Sequence, residues 1–92
     1  MKLRLETARL LVYKVAWLKE QGQPAMMEAA LLKLHLSEGF VASGLDALRI
    51  HGGRGYLSDS GVERDLRDAL GGVLYAGTSD IQRNIIARLL GV

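Results

Sequence analysis

From Leu3 to Gln21, apolar side chains recur at Leu5, Ala8, Leu11, Val12, Val15 and Leu18, the three-and-four spacing of one helical face. Leu10, Tyr13 and Trp17 widen that stripe until more than one side of the helix requires burial. Gly22 and Pro24 then end it, a glycine just past the last turn and a proline that opens the next helix better than it continues this one. A second helix is expected from Ala25 to about Ile50, with Met26, Ala30, Leu34, Val41, Leu45 and Leu48 among its apolar positions and Met26 and Met27 filling the core. Gly39 and Gly44 lie inside it. Each costs about 1 kcal/mol relative to alanine, so both mark places where another backbone comes close.

Gly52-Gly53-Arg54-Gly55-Tyr56 breaks the second helix, and the loop lasts to Ser60. Ser60 and Glu63 have the spacing of a capping box, which starts a third helix there. Glu63 with Arg67 and Arg64 with Asp68 have ion-pair spacing on that helix, and Gly71-Gly72 weakens its second half. After a break at Ala76-Gly77, Ser79 and Gln82 repeat the capping-box spacing, and a last helix carries Ile81, Ile85, Ile86 and Leu89 before ending at Gly91. No β-alternation of useful length appears. The expected fold is all-α, a helical bundle of about four helices, two long antiparallel ones followed by two shorter, in a single domain over residues 1–92.

A chain of 92 residues is one small domain; at that size folding hides only roughly 60–65% of the surface the unfolded form exposes, so help from a partner is expected. The absence of cysteine removes disulfide frameworks, thiolate metal sites and cysteine nucleophiles. A net charge of +2 is too slight and too evenly spread for a nucleic-acid binder. Charges at Lys2, Arg4, Glu6 and Arg9 interrupt any signal-peptide core, and no apolar window is long enough for a membrane span, which reads as a soluble, cytoplasmic protein.

The two loops carry what chemistry there is. Arg49, the amides of Gly52 and Gly53, and Arg54 have the makings of a phosphate cradle, and equally those of a glycine helix cap with arginines on solvent. A dinucleotide-binding fingerprint is excluded, because here the glycines follow a helix rather than a strand. At Gly77-Thr78-Ser79 a helix N-terminus suits a carbonyl oxygen, a phosphate or a flavin edge, with simple capping the alternative. His35, among leucines and without a second ligand at metal spacing, reads as a core or interface histidine. His51 reads as a buried imidazole bonded to a backbone carbonyl. Arg64, Arg67 and Asp68 form a structural ion-pair network rather than a catalytic group.

Three segments taken together are more specific: Arg49-Ile-His-Gly-Gly-Arg-Gly-Tyr56, Val62-Glu-Arg-Asp-Leu-Arg-Asp68 and Leu74-Tyr-Ala-Gly-Thr-Ser-Asp-Ile-Gln-Arg-Asn-Ile-Ile-Ala-Arg88. In that order and at those separations they resemble the closing segment of the acyl-CoA dehydrogenases. Glu6-Thr-Ala-Arg-Leu-Leu-Val-Tyr13 and the long second helix are similar to the same family's carboxy-terminal helical bundle, so the likeness covers essentially the whole chain. A full member has an amino-terminal helical domain and a central β-domain ahead of this bundle.

The resemblance implies an FAD-dependent oxidoreductase of fatty acid or related metabolism that removes a proton from the α-carbon of an acyl thioester and a hydride from its β-carbon. It implies that the chain contributes flavin contacts and an oligomer interface, as part of a homo-oligomer or of a complex with a flavin-domain polypeptide. By the same likeness Arg49, Ile50, His51, Gly52 and Gly53 approach the dinucleotide of an adjoining subunit. Thr78, Ser79, Asp80 and Gln82 lie along the cofactor, and Tyr75, Ala76 and Gly77 face the acyl pocket. Arg49 departs from the family's usual glutamine. Ala76 departs further, standing where most members have the glutamate that acts as base, and a methyl group takes no proton. Some members with a small residue here draw the carboxylate from an earlier helix, so no catalytic residue is assigned within this chain.

Three readings follow from the resemblance. The chain is a part of a dehydrogenase whose flavin domain lies elsewhere, or a non-catalytic assembly module derived from the family, or a part of a related flavin enzyme acting, for example, on a carrier-protein thioester. The Gly71-Gly72 pair ahead of Leu74-Tyr75 is similar to branches of the family that serve specialised biosynthesis. Chain length and acyl carrier stay open.

Overall fold

A computed structural model describes residues 1–92 and is helical throughout, with no strand. Its elements are α1 (Lys2–Glu20), α2 (Met26–His51), α3 (Gly53–Tyr56), a 3₁₀ turn (Ser58–Ser60), α4 (Val62–Gly72) and α5 (Ser79–Leu90). The two long and two shorter helices are those the apolar spacing predicts. The single turn of α3 is an addition, set where a continuous loop is expected.

The 26-residue α2 is the spine. Helices α1, α4 and α5 each pack against it, and none of these three closely approaches another. Close approach to a spine from several sides requires small residues, and α2 buries Ala30, Ser37 and Gly44 at seven-residue intervals. Gly44 meets α4: a methyl group there would lie 3.1 Å from Leu66 Cδ1 and 3.3 Å from its Cα. Gly39 differs from the expectation, because a methyl there would meet only the Arg4 side chain, at an ordinary 3.8 Å.

Helix α1 buries Val15 and Leu18 against the spine, whereas Leu10 (67% exposed), Tyr13 (63%) and Trp17 (55%) form a second apolar stripe that this chain leaves bare. Met26 is 65% exposed and therefore not core filler. With overall extents of 46 × 23 × 17 Å and nine residues buried, the fold is an elongated platform.

Both expected capping boxes are displaced. At the start of α4 the cap position is Gly61, in the left-handed region at φ 75°, and Ser60 Oγ accepts from the Val62 amide (3.3 Å). Glu63, the second residue of α4, instead accepts from Arg67 (2.8 Å). At α5 Thr78 is the cap, its Oγ1 accepting from the Ile81 amide (3.2 Å), because its extended backbone aims the hydroxyl back at the first turn. The Gln82 side chain turns the other way, toward the preceding loop.

Candidate functional site

Two surfaces hold the residues singled out in the sequence. The first lies where α2 ends. Gly52 adopts φ 60°, and its amide donates to the carbonyls of Leu48 (2.9 Å) and Arg49 (3.3 Å), so that amide closes the helix instead of facing a ligand. The side chains that Gly52 and Gly53 lack would have met nothing within 4 Å, leaving the backbone open to close approach from outside. Gly55 is the opposite case: a methyl there would lie 2.8 Å from His51 Cβ and 3.1 Å from the Leu48 carbonyl, so its smallness lets α3 fold back on α2.

Arg49 and Ile50 project from this end, Ile50 being 73% exposed. The Arg49 guanidinium is 3.7 Å from Asp46, which Arg4 of α1 also holds, at 2.5 Å. The hydrogen bond from Arg4, with the positive charges of Arg4 and Arg49 behind it, holds the Asp46 carboxyl below the usual carboxylate range. His51 is exposed rather than buried, because the chain turns away at Gly52 and leaves the ring at the rim. His35 is likewise on the surface, 2.7 Å from the Thr7 hydroxyl across the α1–α2 seam. No group of three or more His, Asp or Glu side chains is placed to hold a metal ion.

The second surface is the loop from 73 to 78 and the start of α5. Ala76 sits at φ 52°, the one non-glycine residue in the left-handed region, and Gly77 follows at φ 87°. Such a backbone is costly for a residue with a Cβ and persists where its surroundings hold it. Here the Ser79 amide donates to the Val73 carbonyl (3.1 Å), closing the loop. The buried Gln82 amide lies 3.4 Å from the carbonyls of both Ala76 and Gly77. Tyr75 is exposed and folds toward the end of α4, where a methyl on Gly71 would lie 3.8 Å from its ring.

Thr78, Ser79 and Asp80 share a cleft of about 590 Å³ with Glu38, Val41, Leu45 and Leu74. Within this neighbourhood Ser79 Oγ is buried and has no hydrogen-bond partner. The Asp80 carboxylate is 91% exposed and held by Arg83 (3.1 Å). The helix end, the unpartnered hydroxyl and the open glycine backbone are the kinds of group that receive a large polar cofactor. Helix α3 lies against α2 and α4 and not against α5, but Leu45 of the cleft stands one helical turn before Arg49, so the α2 spine carries both surfaces.

A profile for the C-terminal domain of the acyl-CoA dehydrogenases matches residues 1–91. The chain belongs to the acyl-CoA dehydrogenase family, as its C-terminal domain. It is 53% identical to an L-prolyl peptidyl-carrier-protein dehydrogenase of Pseudomonas fluorescens over 90 residues, which is 98% of this chain and 24% of that protein. It is 46% identical to the human mitochondrial short-chain specific acyl-CoA dehydrogenase over 87 residues, 95% of this chain and 21% of that one. Among solved structures, the prolyl acyl carrier protein oxidase AnaB superposes on 100% of this chain and 24% of its own with a TM-score of 0.97 at 52% identity. The FAD complex of PigA covers 99% and 24% with a TM-score of 0.95 at 45% identity. The chain thus spans about a quarter of the length of these relatives.

Within this dehydrogenase domain the residue that sequence reasoning missed is Lys33. Its ammonium donates to the carbonyls of Gly72 and Gly77, each at 2.7 Å, and lies 6.0 Å from the centre of the Tyr75 ring. The available signal was its register: Lys33 stands three residues after Ala30 and four before Ser37, both buried, so a cation falls on the packed face of α2.

Proposed function

We propose that the chain acts as the C-terminal part of an FAD-dependent acyl-CoA dehydrogenase-type enzyme that oxidises an acyl thioester, with prolyl groups on a carrier protein as the substrate class. The observation that carries the flavin assignment is the buried, unpartnered Ser79 hydroxyl at the start of α5. Burying a hydroxyl without a partner costs about 1–3 kcal/mol, which a bound group able to hydrogen-bond offsets. The substrate class is supported by the relatives named for prolyl carrier proteins, at 53% and 52% identity.

In this reading a bound FAD supplies the two-electron acceptor for substrate oxidation. The bare backbone of Gly52 and Gly53 admits the dinucleotide, with Ile50 and His51 beside it, and Arg49 offers a guanidinium to its pyrophosphate. Thr78, Ser79 and Asp80 receive the cofactor's polar edge at the α5 N-terminus, where the helix dipole favours negative charge, and Gln82 braces the loop behind them. Tyr75, Ala76 and Gly77 form a wall of the acyl pocket. Ala76 brings no carboxylate, and Asp80 points to solvent, so no base for the proton is assigned within this chain. Both surfaces are open, and in this reading assembly, either of copies or with a flavin-bearing polypeptide, supplies the rest of the flavin site.

The bare stripe on α1 favours a second reading, an assembly module without a catalytic part. No helix is long and apolar enough to cross a membrane, and a cytoplasmic site of action belongs to the proposal.

Anaerobic mixing decides between these readings. The chain is combined with a polypeptide that supplies the remaining domains, FAD is added, and a prolyl carrier-protein thioester is introduced. Bleaching of the flavin band only when all parts are present is the expected result; a band that bleaches equally without this chain contradicts the catalytic reading. Bleaching by a short acyl-CoA and not by the prolyl thioester overturns the substrate class.

A further inference from the structure

Lys33 does more than fill the packed face of α2. Gly72 is the last residue of α4, and its carbonyl is among those a helix end leaves without an intrahelical donor. Gly77 is next to the cap of α5. The Lys33 ammonium, half-buried between them, donates to both carbonyls at 2.7 Å and so ties the two ends of the 73 to 78 loop to one point on the spine. These bonds are short and charge-assisted, unlike the 3.4 Å contacts from Gln82 to the same loop. Between the tied ends stand Tyr75, whose ring lies near the same ammonium, and Ala76, whose φ of 52° needs surroundings that impose it.

We infer that Lys33 is a positioning residue: it fixes the backbone of the 73 to 78 loop and thereby sets Tyr75, Ala76 and Gly77 as a wall for the acyl group. The inference about the loop stands on geometry alone; the word acyl rests on the function proposed above. The cation acts by place and charge. It also faces the negative end of α4, where a positive charge is favoured, and lies 6.0 Å from the centre of the Tyr75 ring. A neutral side chain of similar length keeps the packing and removes the tie.

Lys33→Met tests this in two ways. Amide hydrogen exchange on the full chain is expected to quicken roughly tenfold or more at Ser79, whose N–H closes the loop, while the α2 amides around Ala30 keep their protection. In the assembled flavoenzyme the same variant is expected to raise KM for the acyl thioester roughly tenfold, with kcat and FAD affinity little changed, and Lys33→Arg recovers part of the loss. Unchanged exchange at Ser79 overturns the tie, and faster exchange with unchanged KM overturns the positioning role. A wild-type assembly whose flavin is never reduced by acyl thioester overturns the proposed function instead, and leaves the exchange result to judge Lys33. Should Lys33→Met fail to fold, the wild-type chain suffices: a slowly exchanging Lys33 ammonium signal at neutral pH is expected, and one as fast as that of exposed Lys2 contradicts the tie.

Discussion

Gly44 of α2 and Leu66 of α4 meet so closely that a methyl group on the glycine would stand 3.3 Å from the leucine's Cα. A side-chain tip can yield at that distance, but a helix backbone yields only by moving the helix. Gly44→Ala therefore is expected to lose about 1–2 kcal/mol despite alanine's better helix propensity, since overpacking outweighs the gain. Gly39→Ala, with only the Arg4 side chain at 3.8 Å, is expected to gain about 0.5–1 kcal/mol. Urea midpoints of the two variants check the pair, and equal shifts would contradict the packing described.

Ser79→Ala is expected to stabilise the chain in the absence of flavin, by up to about 1 kcal/mol, because it removes a buried hydroxyl that has no partner. Thr78→Ala is expected to cost about 1 kcal/mol through loss of the bond from the Ile81 amide, and Thr78→Ser to restore it. Thermal melts of the three variants measure this contrast between neighbours.

Asp46 couples α1 to α2 through Arg4, with Arg49 adding positive charge beside it. Its folded pKa lies below the unfolded value of about 3.9. The stabilisation is thus present above about pH 4 and lost as the pH falls through the folded pKa. Asp46→Asn is expected to flatten that acid limb, and stability profiles from neutral to acid pH for both proteins check the sign.

The bare stripe of α1 predicts self-association at micromolar concentration. Burying one large apolar side chain contributes about 1.5–3 kcal/mol, so Trp17→Glu is expected to raise the dissociation midpoint roughly tenfold or more while leaving Val15 and Leu18 packed. Sedimentation velocity of the two proteins decides it; a monomeric wild type contradicts the prediction.

Much of the fold was legible because α1, α2, α4 and α5 carry regular apolar spacing and glycines at their ends. The capping details were not, since Ser60 and Thr78 compete with neighbours of the same chemistry, and one residue of shift follows from the left-handed backbone of Gly61. The exposed faces of Leu10 and Trp17 were unreadable as exposed, because apolar spacing says that a face is buried and not against what. In the candidate site the helix N-terminus at Gly77-Thr78-Ser79 was legible from its capping residues, and the cleft beside it was not, because its other wall comes from α2. The Gly52 amide did not match the sequence reading, having been taken by the Leu48 carbonyl. Lys33 was missed because its partners lie 39 and 44 residues away, and no local pattern announces a bond made across the bundle.

The central claim is that this chain supplies contacts to FAD from two surfaces, the end of α2 and the start of α5, and FAD titration of the assembled enzyme tests it most directly. Arg49→Ala and Gly53→Ala on one surface and Ser79→Ala on the other are each expected to weaken FAD binding about fivefold or more, the effect of losing roughly 1 kcal/mol of contact. FAD affinity equal to wild type in all three variants would contradict it.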